Sequence, residues 1–149
     1  MKWLSVFLAV FCLSACTHLD PGYDDDTPKT ATAQVGIVNH TGNYIHSASV
    51  NGAGGGNMSK WGAGGADICC ASIPRVWYPG MKVRVRWNMP VNGNDVIKEK
   101  IVEVEQYGRP GSIYMHFFPN DEVRVVVSPV GPRNPEHPIP LPVKPATAK

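Results

Sequence analysis

Asn39 to Trp87 reads NHTGNYIHSASVNGAGGGNMSKWGAGGADICCASIPRVWYPGMKVRVRW, and its last six residues, Lys82-Val83-Arg84-Val85-Arg86-Trp87, decide the fold class. Apolar and basic residues alternate there without a break. A period of two puts Val83, Val85 and Trp87 on the core face of a strand and Lys82, Arg84 and Arg86 on the other. Tyr44 to Val50 alternates in the same way, and Asn51-Gly52 ends it with a hairpin signal. Trp77-Tyr78-Pro79-Gly80 has Pro and Gly in the order of the central positions of a type II turn.

Working outward, Gln34 to Asn39 reads as a first strand, followed by a turn over Asn39 to Asn43. Lys100 to Gln106 alternates with Val102 and Val104 inward and Glu103 and Glu105 outward. Pairing it with the 82–87 strand would set Arg84 and Arg86 across from Glu103 and Glu105. Ser112 to Phe118 and Glu122 to Ser128 form a hairpin around Pro119-Asn120-Asp121. Val123, Val125 and Val127 share one face, and Val126 points to partial burial of the other. The expectation is an all-β domain over residues 34–130, a small antiparallel β-sandwich with Gly/Pro-rich turns.

Composition agrees. In 149 residues the hydrophobic share is 43%, enough for a core, and 15 Gly with 14 Pro favour turns over long helices. The net charge of +2 carries no nucleic-acid footprint, which needs a clustered basic face. After Pro129 six further prolines break up residues 131–149, which read as an extended tail, loose or packed on the surface.

The first fifteen residues read as an address. Lys2 supplies the positive region, Trp3 to Leu13 an apolar run short for a bilayer span, and Leu13-Ser14-Ala15-Cys16 follows. This looks like the lipobox of bacterial lipoproteins, in which small residues give the peptidase access and the cysteine thiol takes the lipid. Residues 1–15 are then the signal peptide, and Cys16 carries S-diacylglycerol and an N-acyl chain. The plain secretory alternative leaves Cys16 a free thiol. Residues 16–33 are a polar tether, with Asp24-Asp25-Asp26 a solvated charge run. Thr17 lacks the Asp of inner-membrane retention, so the expected place is the periplasmic face of the outer membrane.

Several features could carry chemistry. Gly52 to Gly56 and Gly62 to Gly65 flank Asn57-Met58-Ser59-Lys60-Trp61. No Gly-Lys-Ser/Thr accompanies them, so they read as tight turns or bulges rather than a phosphate cradle. Trp61 between them is a candidate anchor for a partner. The Lys82, Arg84 and Arg86 stripe is either a self-neutralised face or a contact for an acidic partner. Cys69 and Cys70 fall on a short buried strand over Asp67 to Ile73 and point to opposite faces. They are buried thiols, a vicinal disulfide, or ligands and intermolecular bridges. His40, His46 and His116 show no ligand spacing, and His116 reads as a structural, hydrogen-bonded histidine. No catalytic set, cofactor motif, metal motif or small-molecule site emerges.

The order of these motifs resembles the proteobacterial lipoprotein family known as domain of unknown function 3304. The residues that carry it are Asn39-His40-Thr41, Tyr44-Ile45-His46, Val50-Asn51-Gly52 with Gly54-Gly55-Gly56, Cys69-Cys70, Pro74-Arg75, Trp77, Pro79-Gly80, Val83, Val85-Arg86-Trp87 and Val123-Arg124-Val125-Val126-Val127. The likeness covers about Val35 to Pro138. Members often lie near type VI secretion lipase effectors, which implies that some are immunity proteins. The expectation is a non-enzymatic, lipid-anchored protein that binds a secreted toxin, a phospholipase by class. The rivals are a structural or assembly lipoprotein of the envelope and a metal or redox protein using Cys69 and Cys70.

Overall fold

The computed structural model describes residues 29–147. The expected signal peptide, Cys16 and most of the expected tether lie outside them. Eight strands follow in order: β1 (Thr30–Asn39), β2 (Ser47–Val50), β3 (Ala53–Gly54), β4 (Ala63–Pro74), β5 (Lys82–Asn88), β6 (Ile97–Glu103), β7 (Ser112–Phe117) and β8 (Val123–Ser128). They form two four-stranded sheets, β4-β1-β7-β8 and β3-β2-β5-β6. The sheets face each other across a core of Val35, Ile37, Val50, Val83, Val85, Trp87, Ile113, Met115, Phe117 and Val125, as a β-sandwich requires.

The 82–87 stretch behaves as read. Val83, Val85 and Trp87 are buried and Lys82, Arg84 and Arg86 exposed. Asn51 and Gly52 have φ of 50° and 83°, which closes β2 onto β3. The Asn51 carboxamide oxygen also accepts the Arg84 N–H at 2.8 Å. Gly80 has φ of 80° and the Met81 N–H donates to the Tyr78 carbonyl at 3.2 Å, the geometry of a type II turn.

Four expectations are corrected. β1 starts at Thr30, so residues 30–33 are strand rather than tether; they pair with Ala71 to Pro74. The sandwich is antiparallel as expected, with β1 and β7 its one parallel pair of strands among the described residues. Parallel neighbours need a long crossover, and the second sheet supplies it. β6 is displaced toward the N-terminus, so Arg86 faces Glu99, Arg84 faces Ile101 and Lys82 faces Glu103. Glu105 instead ion-pairs with Arg124 at 2.6 Å. Ile45 and Ala48, of opposite parity, are both buried, because a bridge from Ile45 to Met58 and β2 are separate pieces of chain.

The fourth correction is β4. It is long and only partly buried, and it takes residues 63–65 of the second glycine cluster into the strand. Its register against β1 slips three times. Gln34 alone faces both Cys69 and Cys70, between the Ala33–Ala71 and Val35–Ile68 pairs. That is a β-bulge, two residues against one. Each bulge resets the inside–outside alternation, which is why no period of two is visible from Ala63 to Pro74.

The Pro-rich segment does not stand off. His137 and Ile139 are buried, and Ile139 joins Val38, Ala66, Tyr114 and Val126 in a second apolar cluster on the outer face of the first sheet. The C-terminal segment is therefore a third layer over β1, β7 and β8. Val126 is fully buried for that reason.

Candidate functional site

Under this third layer lies a row of three histidines from distant parts of the chain. His40 follows β1, His116 is in β7 with its side chain on the outer face, and His137 comes down from the C-terminal segment. The loop that carries His40 is built by Asn39. Its buried carboxamide donates to the carbonyls of Asn43 at 2.7 Å and Ser59 at 3.0 Å. Its oxygen accepts the Thr41 N–H at 3.0 Å and the Thr41 hydroxyl at 2.8 Å. All four hydrogen-bonding positions of that amide are filled, so the loop entering His40 has one conformation.

His40 Nε2 lies 3.0 Å from His116 Nδ1, and His116 Nε2 lies 3.1 Å from His137 Nε2. His137 Nδ1 lies 3.0 Å from the Val130 carbonyl oxygen. That oxygen can only accept, so His137 Nδ1 carries the proton. In a neutral ring its Nε2 is then bare and must accept from His116 Nε2–H. His116 Nδ1 is bare in turn and accepts from His40 Nε2–H. One carbonyl thus sets the tautomer of all three rings. The one unshared lone pair left in the row is on His40 Nδ1.

The surroundings oppose charge in this row. Burial pushes the His116 pKa down to about 3, with His40, His137 and Arg124 adding to the effect. Burial, then Arg124, also lowers His40. The Arg124 guanidinium sits opposite His116 in the β7–β8 register and is bound bidentately by Glu105, at 2.6 and 3.1 Å. Aromatic packing completes the row: His40 stacks on Phe118 at 4.2 Å and Tyr114 stands edge-on to His137 at 4.9 Å.

Chemically, the row is a clasp. His116 spends both nitrogens on other rings, so three lone pairs do not converge on one point. Among the described residues, no group of three or more His, Cys, Asp or Glu side chains is placed to hold a metal ion. The reading of His116 as a structural, hydrogen-bonded histidine holds. What sequence spacing missed is that its partners are His40 and His137, 76 and 21 residues away. His137 was hidden in a stretch that composition alone marks as tail.

The other singled-out residues are dispersed. Trp61 sits on a left-handed backbone with φ of 54°, hydrogen-bonds through its N–H to the Thr41 carbonyl at 3.1 Å, and lays its indole beside Gly42. It is half-buried against the His40 loop rather than the tip of a free one. Lys82 and Arg84 are far along β5 from that loop, whose neighbour is Asn88 at the other strand end, through the His46 N–H at 2.9 Å. Trp61 and the basic stripe therefore do not make one surface. Cys69 is exposed and Cys70 half-buried on edge strand β4, and their sulfurs are bonded to each other. Cys16 lies outside the described residues.

The outer face of the second sheet is the contrasting feature. Lys82, Arg84 and Arg86 share it with Glu99, Glu103, Ile97 and Ile101 through the β5–β6 register. Ile101 is 60% exposed and Ile97 51%. Arg84 reaches Glu99 at 3.4 Å, while Lys82 and Arg86 have no ion-pair partner among the described residues.

Residues 38–125 match the family model described as Protein of unknown function (DUF3304). The chain belongs to this family. The match takes in His40, His116 and the whole of the second sheet, and ends before His137. No curated protein and no solved structure matches the chain.

Proposed function

We propose that this protein is a lipid-anchored binding protein of the periplasm that neutralises a secreted antibacterial toxin, and that the toxin docks on the outer face of the second sheet. One observation carries the docking face: the two sheets are covered unequally. The first sheet has its outer face sealed by the C-terminal layer, with Tyr114, Val126 and Ile139 buried. The second leaves Ile97 and Ile101 exposed among Arg84, Arg86, Glu99 and Glu103. Apolar side chains ringed by charge are the makings of a protein contact rather than of a small-molecule pocket. The anchor rests on the Lys2-to-Cys16 pattern. The toxin, a phospholipase by class, rests on the company that the family keeps.

The test is survival. A strain lacking the protein, challenged by a competitor that delivers the effector encoded beside it, should die, and the restored gene should rescue it. Arg84→Glu combined with Ile101→Glu should fold normally yet fail to rescue and fail to co-purify with that effector. Equal survival of deletion and parent strains would remove the reading.

A further inference from the structure

The end of the sandwich from which the tether leaves carries an exposed loop that the docking face does not use. Arg75 donates its N–H to the Lys29 carbonyl at 3.0 Å, so the first described residue lies at the root of the β4–β5 loop, 75–81. That loop exposes two large side chains, Val76 at 79% and Tyr78 at 52%. It is held rigidly while doing so. The Trp77 indole N–H donates to the Val104 carbonyl at 3.0 Å, the Tyr107 hydroxyl to the Pro74 carbonyl at 2.6 Å, and the Val104 N–H to the Met81 carbonyl at 2.8 Å. The exposure of Val76 and Tyr78 is thus built in.

Charge is distributed to match. Lys29, Arg75, Lys82 and Arg109 are exposed at this end and have no ion-pair partner among the described residues. Among the described residues the acids near them are Glu103, across from Lys82, and Glu136, which shares a shallow groove with Arg109; the tether before Lys29 adds Asp20 and Asp24 to Asp26 in sequence. The opposite end carries Asp95, Asp121 and Glu122, with Lys98 and Lys100 both tied to Asp121.

We propose that the Arg75–Gly80 loop is a second membrane contact, seating Val76 and Tyr78 among phospholipid headgroups with Arg75, Lys29 and Arg109 against their phosphates, and so fixing which way the domain faces. The proposal rests on the lipid anchor at Cys16. Thirteen residues, 17–29, join that cysteine to β1 and reach at most about 45 Å. The ten residues of β1 place the far end of the sandwich roughly 33 Å beyond. The loop end is therefore the end tied to the bilayer; a tether longer than the domain does not by itself hold it there, and the loop contact would. Tyrosine with an apolar neighbour and flanking basic residues is the side-chain set that settles at a membrane–water boundary. So seated, the molecule would turn the outer face of the second sheet sideways, clear of the lipid.

The test uses the processed, membrane-extracted full chain in vesicles of phosphatidylethanolamine with a minor share of phosphatidylglycerol. A bimane label is placed at Val76→Cys or, at the far end, at Asn92→Cys, and quenching by nitroxide-headgroup lipids is read alongside the mass of the Cys16 peptide. With Cys16 lipidated, quenching several-fold stronger at 76 than at 92 is expected. Adding Arg75→Ser and Tyr78→Ser to Val76→Cys should bring it down to the level at 92. Equal quenching at both positions, as tumbling on the tether or a protein covering the loop would give, overturns the proposal alone. Quenching that survives the two serines overturns it too, because the tether would then set the orientation. An unmodified Cys16 overturns the anchor and the proposal together.

Discussion

His116 couples the C-terminal layer to protonation. It is fully buried, neutral and committed at both nitrogens. Its pKa stands at about 3 in the fold, against about 6.5 in an unfolded chain. Below about 6.5 the unfolded chain takes a proton that the folded ring refuses, so stability should fall from there down to about 3, where the folded ring also charges. The loss is on the order of a few kcal/mol. Urea midpoints at pH 7.5 and 5 should therefore differ, and His116→Leu should lower the midpoint at pH 7.5 while flattening the difference. Gly36 is a second sensitive position. A Cβ there would fall 2.5 Å from the Tyr114 ring, which stands perpendicular to the His137 ring. Gly36→Val should cost about 1–3 kcal/mol by displacing that ring, readable as a lower thermal midpoint.

Strand β4 and the C-terminal segment leave no local pattern in the sequence, for different reasons. In β4 three bulges cancel the alternation that identifies strands. The cysteine pair lies in one of them, on an edge, with Cys69 exposed. A bridge between neighbouring residues closes almost no loop, so it restricts the unfolded chain very little. Cys69→Ser with Cys70→Ser should accordingly unfold within about 1 kcal/mol of the parent. In the C-terminal segment prolines forbid a ladder but not burial. Ile139→Ala should cost about 2–4 kcal/mol, since Ile139 fills the cluster over Tyr114 and Val126. Ending the chain at Val130 should cost more and raise dye binding to exposed apolar surface, because Val38, Tyr114 and Val126 lose their cover.

Taken whole, the molecule is a sandwich with one outer face sealed and the other open, and the proposed docking follows from that inequality. Substituting Arg84 and Ile101 should abolish toxin binding with the thermal midpoint unchanged, because both side chains are exposed. The short range of the interactions involved explains what could be read in advance. Alternation in 82–87 and 123–128, Asn51-Gly52 and Pro79-Gly80 are local: each depends on the backbone preferences of a few neighbouring residues, so the sequence by itself determined the all-β class and the main turns. Pairing partners, the parallel β1–β7 neighbours, the register that sets Arg86 against Glu99, and the meeting of His40, His116 and His137 depend on contacts between residues far apart in the chain. Those were decided by the tertiary structure alone, because which distant faces meet is settled by burying the whole apolar surface at once rather than by any one segment.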